Sequence, residues 1–381
     1  MIHYQHIVAP YRRYLASLGR EVDANARAAI ADLCAGNTEP AAAALASLDA
    51  KHSSDPHLHA ALGFVAYQRR DGPAAIGHLE RALELAPDDA HHRALLAVCQ
   101  LGMQRFDPAV ANFLAALRIM PGMYVAHTLL WSALEGAGRL EGAVSALKRT
   151  LIEDSRNALP QPDAARVDIE GTTLCIVDCA NHALAERALR LSMSGCRFEK
   201  VKWLTDRAVA IAGVETVLIP PVRSMEQFSR FMVKDLLTYI DTEFVLTIQW
   251  DGYVVNPAAW TPEFLLFDYI GARWDSRSHT QAHHNVGNGG FSLRSRSLLE
   301  ALQDAAIDSW HPEDRAICRE HRSYLEDRHG IVFAADDIAD RFSFEHREIA
   351  ALPFGFHSLT NLTHFVSLPG WPCLDFYFGK L

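Results

Sequence analysis

The sequence predicts two folds in one chain: an all-α array of repeated helix pairs, followed by an α/β domain with a mainly parallel central sheet. Three observations predict this order. Small and apolar residues recur with a constant period in the first part, a segment with two prolines follows near residue 160, and apolar runs then alternate with amphipathic segments. With 381 residues the chain is long enough for two such domains.

Composition narrows the class of protein. Apolar residues make up 49% and charged residues 22% of the chain, which is typical of a soluble globular protein. The net charge of -10 argues against binding to nucleic acid, so a phosphate-bearing ligand needs a few local basic groups or a metal ion. No apolar run approaches the ~18 residues of a membrane helix, and the N-terminal residues lack the apolar core of a signal peptide. We therefore expect a cytoplasmic protein without membrane insertion.

The seven cysteines are odd in number and form no CxxC pair. This usage predicts neither a disulfide framework nor a zinc knuckle.

The first part of the chain repeats with a shift of 34 residues, because Ala75 and Pro87 recur as Ala109 and Pro121. Small residues let the two helices of a pair approach closely, and the prolines end the second helix of each pair. We assign residues 1–155 to this repeat domain.

The array resembles the tetratricopeptide-repeat family in its period and in the order of its small and apolar residues. The resemblance implies about three and a half repeats over residues 22–155. Such an array either offers a groove to a peptide or protein partner, or serves as a dimerisation or rigid spacer module that would make the protein a homo-oligomer. The candidate groove-lining residues come from the first helix of each pair: His57, Phe64, Tyr67, His91 and Thr128.

Residues 156–167 contain Pro160 and Pro162 without an apolar period, which predicts a linker before a second domain at residues 168–381. In that domain the pattern predicts strands at residues 173–178, 200–204, 216–219 and 244–249, and helices at residues 182–193 and 225–240. Their alternation is typical of βαβ units on a mainly parallel sheet. The absence of GxGxxG and GxxxxGK[ST] motifs argues against a dinucleotide dehydrogenase and a P-loop nucleotidase.

Two aspartates follow predicted strands, and ligands on open α/β sheets bind at the carboxyl ends of strands. Asp178 follows the first strand and Asp251 follows the fourth, and either acid has the alternative role of starting a turn or capping a helix. Arg230 and Lys234 lie one turn apart on the preceding helix, where they would meet a diphosphate or form a solvated helix face.

A glycine-rich segment precedes another predicted strand. Asn288, Gly289 and Gly290 give a backbone that can approach a ligand without side chains in the way, or a tight hairpin turn.

Five segments, IQWDG, FDYIGARW, VGNGGFSLRSRSLLEAL, PEDRAIC and FGFHSL, occur in this order. Together they resemble a family of bacterial glycosyltransferase-like domains with the GT-A fold, over roughly residues 168–370. The resemblance implies a nucleotide-sugar donor whose diphosphate is neutralised by Mn²⁺ or Mg²⁺.

The resemblance also implies roles for single residues. Asp251 matches the second acid of the family's DxD motif and is a metal ligand, whereas Gln249 replaces the first acid and Trp250 lies between them. His357 matches a late histidine that completes the metal site. Asp178, Arg230, Lys234, Gln249, Trp250, Asp251, Asn288, Gly289 and Gly290 are the donor-binding candidates.

The pair Glu313 and Asp314 follows Pro312 and resembles the Glu-Asp pair that several GT-A families place beside the acceptor. We expect Asp314 to act as the base of an inverting transfer and Glu313 to bind an acceptor hydroxyl. Their alternative role is to complement a helix dipole. A retaining transferase would need no such base.

Two other acidic segments have simpler interpretations. The acids at 336, 337 and 340 predict a solvated helix start, whereas Glu345 follows alternating aromatics and is expected to point into the cleft.

The leading hypothesis is a metal-dependent glycosyltransferase, with a peptide or protein acceptor presented by the repeats. The alternatives are a catalytically inactive GT-A-like scaffold for protein interaction, and a metal-dependent nucleotidyltransferase or hydrolase.

Overall fold

A computed structural model describes residues 2–17, 24–49, 54–155, 166–274, 285–345 and 351–366. They divide into two compact units: the repeat unit, with the described residues up to Thr150 and from Thr363 onward, and the sheet unit, Leu151–Leu362. Most of the predicted linker, residues 156–165, lies outside the described residues.

The described residues between 2 and 155 form nine helices. They are α1 (Ile2–Ser17), α2 (Ala24–Ala35), α3 (Thr38–Asp49), α4 (Pro56–Gln68), α5 (Gly72–Leu85), α6 (Ala90–Gly102), α7 (Phe106–Ile119), α8 (Tyr124–Gly136) and α9 (Leu140–Ser155). From α2 onward they follow one another as helix pairs, and the two helices of a pair pack together in α2 with α3, α4 with α5, and α6 with α7. The predicted tetratricopeptide-like repeats are confirmed.

Small residues and prolines have the structural roles that the period predicts. A Cβ atom on Gly63 would lie 2.8 Å from Cγ of Leu79, so α4 and α5 approach too closely for a larger residue. Helix α5 ends two residues before Pro87 and α7 ends two residues before Pro121, as expected of residues that cannot continue a helix.

The sheet unit is built on a six-stranded mixed sheet. Its strands are β1 (Val167–Val177), β2 (Cys196–Thr205), β3 (Glu215–Leu218), β4 (Phe244–Ile248), β5 (Tyr269–Ile270) and β6 (Phe291–Ser295). The spatial order is β3-β2-β1-β4-β6-β5. Strands β1 to β4 are parallel, and β6 runs antiparallel between β4 and β5. The sheet is therefore mostly parallel, as the sequence predicts, with one antiparallel strand.

Helices and a second small sheet complete this unit. The helices are α10 (His182–Gly195), α11 (Met225–Arg230), α12 (Arg296–Ala301), α13 (Glu313–Arg315), α14 (Arg322–His329), α15 (Asp336–Phe342) and α16 (Leu359–Val366), of which α16 continues past Leu362. Strands β7 (Ser343–Phe344) and β8 (Gly355–Phe356) form a parallel pair.

One predicted helix changes type along its length. The helix expected over 225–240 is α11, then a π-helix at Phe231–Asp235, then a 3-10 helix at Leu236–Tyr239. A second π-helix, Ala316–Glu320, follows α13. Both π-helices contribute buried side chains to the core on one face of the sheet.

The strand order reverses beside β1. Strands β2 and β3 extend the sheet on one side of β1, whereas β4 pairs with its other side. In open α/β sheets, ligands bind in the crevice at the carboxyl ends of the two strands that flank such a reversal. The crevice between β1 and β4 is therefore the first place to look for a site.

None of the helices in the described residues is both long and apolar enough to cross a membrane.

Candidate active site

A tight turn follows β4 at this crevice. The amide nitrogen of Gly252 donates to the carbonyl oxygen of Gln249 at 3.1 Å, so Trp250 and Asp251 occupy the two central positions of the turn. A Cβ atom on Gly252 would lie 2.8 Å from the carbonyl oxygen of Phe356, because β8 packs directly against this turn. Asp251 thus forms part of a turn and also faces the segment that carries His357.

The parallel pair β7–β8 places Glu345 beside His357. Phe344 is the register partner of Phe356, and the next residue of each strand carries the polar side chain. Nδ1 of His357 lies 3.2 Å from Oε1 of Glu345. The amide of the buried Asn361 donates to the carbonyl oxygens of both residues, each at 2.7 Å, and so fixes their backbone.

The other nitrogen of His357 faces the turn after β4. Nε2 lies 3.2 Å from Oε1 of Gln249 and 3.6 Å from Oδ1 of Asp251. We call Gln249, Asp251, Glu345 and His357 the histidine cluster. Burial alone would lower the pKa of His357, but the charges of Asp251 and Glu345 outweigh it and raise that pKa to about 9.

The glycine-rich segment forms a wall of this cluster. Since β6 is antiparallel to β4 and Phe291 pairs with Ile248, the residues before β6 lie at the carboxyl end of β4. Asn288 has a φ of 64° and donates from Nδ2 to Glu345. A Cβ atom on Gly290 would lie 2.1 Å from Nε2 of His357. The group that approaches Gly290 closely is thus the His357 ring of the protein itself, and approach of a ligand to these glycines stays a prediction.

A buried ion pair lies behind the same wall. Arg294 is fully buried in β6, and its Nη2 donates to Oε1 of Glu313 at 3.0 Å. A Cβ atom on Gly289 would lie 1.6 Å from that oxygen. The guanidinium also lies 5.6 Å from the ring centroid of Tyr269. Glu313 therefore holds a buried charge, and one of its oxygens is committed to Arg294.

Asp314 is the half-buried neighbour of that pair. Burial raises the pKa of Asp314, the charges of Glu313 and Glu345 raise it further, and the result is about 6. The backbone amide of Arg315 and the charge of Arg294 act in the opposite direction. A carboxyl group with this pKa can accept a proton near neutral pH.

Asp178 lies at the carboxyl end of β1 and accepts hydrogen bonds from the backbone that follows it. Its Oδ1 accepts from the amide nitrogens of Ala180 and Asn181, at 2.7 and 2.5 Å. These contacts are those of the turn before α10, which is the alternative role that the sequence left open.

Arg230 and Lys234 are held by contacts away from the histidine cluster. Nη1 of Arg230 donates to Asp235 at 2.9 Å, and Nζ of Lys234 donates to the carbonyl oxygen of Leu302 at 2.6 Å. Lys234 therefore caps the last turn of α12. These contacts favour structural roles for the two basic residues over the diphosphate contact that the sequence allows.

The donor atoms of the histidine cluster fit a divalent cation. A metal-bound histidine almost always donates its other ring N–H to a carboxylate, a backbone carbonyl or water, and Nδ1 of His357 faces the carboxylate of Glu345 in this way. Nε2 then faces two oxygens, from Asp251 and Gln249. Among the described residues no three His, Cys, Asp or Glu side chains form a metal-binding group. The remaining ligands would have to be water or phosphate oxygens, as is usual for Mg²⁺ at phosphate sites.

Two residues of this region escape the sequence analysis. Arg294 is an arginine in a strand that is buried along its whole length, and a charge in an otherwise buried strand is the signal that would have selected it. Asn361 lies four residues after His357 on α16, and nothing in its local pattern distinguishes it.

Residues 213–357 match the model of a family described as a protein of unknown function, DUF5672. This match includes the histidine cluster, Arg294 and Asp314. No curated protein matches the chain.

Two solved structures are similar to parts of the chain. MamA protein is 22% identical with a TM-score of 0.31, over 41% of this chain and 79% of that one. A point mutant of the Thermobaculum terrenum O-GlcNAc transferase is 14% identical with a TM-score of 0.28, over 60% of this chain and 44% of that one. Both likenesses are too weak to carry an argument about function.

Proposed function

We propose that the sheet unit is a glycosyltransferase of the GT-A type that moves a sugar from a nucleotide-sugar donor to a hydroxyl group. The observation that carries this proposal is the histidine cluster at the carboxyl end of β4. Nδ1 of His357 contacts Glu345, and Nε2 faces Asp251 and Gln249. The glycine-rich wall adjoins the cluster, and the charge of Glu345 in the cluster raises the pKa of Asp314.

Asp251 and His357 would hold Mn²⁺ or Mg²⁺, and Gln249 would contribute its amide oxygen. When bound, the cation supplies positive charge for the leaving diphosphate. Glu345 orients the imidazole, Asn288 holds Glu345, and Gly290 leaves room for the ring. Gln249 thus has a role in place of the missing first acid, because its oxygen faces Nε2 of His357.

Asp314 is the proposed base. As the acceptor oxygen forms its bond to the anomeric carbon and the bond to the diphosphate oxygen breaks, the hydroxyl proton passes to the Asp314 carboxylate. Arg294 holds Glu313 beside it through a contact of 3.0 Å. An elevated pKa of about 6 suits this step near neutral pH. This assignment favours inversion at the sugar carbon.

The first test is a calorimetric titration of the full chain with Mn²⁺. The second is a thermal-shift series with UDP, GDP and their sugars, with and without Mn²⁺. Asp251→Ala should abolish metal-dependent nucleotide binding, and Glu345→Gln should weaken Mn²⁺ binding by roughly 10–100-fold. Asp168→Ala, at the opposite end of the sheet, is the matched control and should bind as the unaltered protein does. If no nucleotide shifts the unfolding temperature under any condition, the proposal fails and an inactive scaffold is favoured.

A further inference from the structure

Helix α1 lies across the first helices of the repeat unit. It packs against α2, α6 and α8, each of which is the first helix of its pair. The ring of Tyr11 lies 5.0 Å from that of Phe64 in α4. Phe64 and His91 are two of the residues expected to line a partner groove, and α1 covers both.

One face of α1 makes the apolar contact. Tyr11 and Leu15 are 0% and 1% exposed. Residues four apart lie on the same side of a helix, so these two form a single apolar edge. Ala9 and Ala16 lie on exposed positions of the helix. Helix α1 therefore docks through one edge, as an amphipathic helix docks in a groove.

Tyr14 adds a polar anchor to this edge. Its ring stacks on His91 at a centroid distance of 4.1 Å, and its hydroxyl donates to Oδ2 of Asp89. The same hydroxyl lies 3.2 Å from Nε2 of His92. Asp89 uses its other oxygen to cap α6, accepting from the amide of His92 at 2.8 Å. The groove thus offers a pre-oriented acceptor for one tyrosine hydroxyl.

Helix α1 has a weak tendency to be helical alone. Pro10 lies inside it, and its first turn has no acidic residue and its last turn no basic residue. An internal proline removes a backbone hydrogen bond and disfavours a helix by roughly 3 kcal/mol. Docking therefore contributes much of what keeps α1 helical, and an isolated segment that is helical without Pro10 would compete well for the same groove.

We propose that the first helices of the repeat unit form a docking groove for an amphipathic helix with the pattern Tyr-x-x-Tyr-Leu, and that α1 occupies this groove as the chain's own competitor. The partner is a helical segment of another protein that presents a tyrosine, a second tyrosine three residues later and a leucine directly after it. The inference is independent of the glycosyltransferase proposal.

The probe is a fluorescein-labelled peptide of residues 2–17 with Pro10 replaced by alanine, titrated with the full chain and followed by fluorescence anisotropy. In the chain, Tyr11→Ala with Leu15→Ala should release α1 and tighten peptide binding at least 10-fold, because occupancy by α1 lowers the apparent affinity. Ala9→Ser with Ala16→Ser changes only exposed positions and should bind as the unaltered chain does. Adding Asp89→Asn to the released chain keeps the helix cap but should weaken the peptide again.

A released chain that keeps its circular dichroism spectrum yet gains no peptide binding would overturn the proposal, since α1 would then be a permanent part of the core. Equal binding of a peptide that lacks the two tyrosines and the leucine would also overturn it. If the altered chain does not fold, hydrogen exchange on the unaltered chain decides. Residues 8–17 should exchange at least 10-fold faster than α6, and equal protection would refute the proposal.

Discussion

The amino and carboxyl ends of the parallel strands, here called the amino edge and the carboxyl edge of the central sheet, are both rich in charge, but only the carboxyl edge buries both partners of a described ion pair. At the amino edge Lys202 is buried, whereas its partners Glu215 and Asp241 are 58% and 55% exposed. At the amino edge, Arg197 pairs with Asp168 at 2.9 Å and Lys200 pairs with Asp241, and all four side chains are at least 39% exposed. Asp168, Arg197 and Asp241 line an open cleft of about 870 Å³. At the carboxyl edge, Arg294 pairs with Glu313 at 3.0 Å, with exposures of 0% and 8%.

This difference separates a solvated surface from a candidate site. Exposed ion pairs contribute roughly 0–1 kcal/mol, because water screens them and solvates each partner almost as well. Buried ionic groups lose that solvation, so they persist where a function or a unique geometry requires them. Burial of both partners of an ion pair, and not the number of charges, distinguishes the carboxyl edge from the amino edge.

The largest expected effect comes from removing one partner of the buried pair. Arg294→Met leaves Glu313 charged and buried, which should lower the free energy of unfolding by about 3–5 kcal/mol. Arg197→Met at the amino edge should change it by less than about 1 kcal/mol. Urea denaturation of both variants measures the difference.

A double variant separates the ion pair from simple packing. Arg294→Met with Glu313→Leu removes both charges and should recover most of the lost stability. If Arg294→Met lowers the free energy of unfolding as little as Arg197→Met does, the inferred difference between the two edges is wrong.

A smaller effect should come from the glycine wall. A Cβ atom on Gly290 would lie 2.1 Å from the His357 ring, so Gly290→Ala must displace that ring or the backbone. We expect a loss of about 1–3 kcal/mol together with loss of Mn²⁺ binding.

Gly171 gives the comparison at the amino edge. It has a φ of +65°, but its added Cβ would come no closer than 3.8 Å to Glu243. Gly171→Ala should therefore lose about 1–2 kcal/mol through backbone strain alone and keep Mn²⁺ binding. Calorimetric titration of both variants decides, and unchanged Mn²⁺ binding by Gly290→Ala would remove His357 from the proposed metal site.

The sequence predicts the periodic parts of this molecule better than its site. The 34-residue period and the alternation of strands and helices arise from burial of repeated faces, so they can be read locally. The crevice residue Asp251 could be selected because it follows a predicted strand, whereas His357 could be selected only through the resemblance to the glycosyltransferase-like family. Arg294 could be noticed only as a charge within an apolar strand, and nothing local distinguishes Asn361. The roles of both residues depend on partners 19 and 16 residues away, Glu313 and Glu345, which only the folded chain brings close.

The burial of charge at the carboxyl edge also predicts that Asp314 makes the stability of the fold depend on pH. Burial and the charges of Glu313 and Glu345 raise the pKa of Asp314 from 3.8 to about 6, against the charge of Arg294 and the amide of Arg315. Its charged form therefore destabilises the fold above about pH 6, and this penalty disappears as the pH falls toward the ordinary value. The stability gained by Asp314→Asn should be on the order of 3 kcal/mol at pH 7.5, about 1 kcal/mol at pH 4.5 and nearly absent at pH 3.

Asp241 at the amino edge should respond in the opposite way. The hydrogen bond from Lys200 lowers the pKa of Asp241 from 3.8. Asp241 thus stabilises the fold above its ordinary pKa and loses that contribution only as the pH falls below about 4, so Asp241→Asn should show a constant loss between pH 7.5 and 4.5. Urea denaturation across this range measures both variants. A difference between Asp314→Asn and the unaltered chain that does not vary with pH would show that the Asp314 carboxyl group is not held in its charged form against burial, which would remove it as the proposed base.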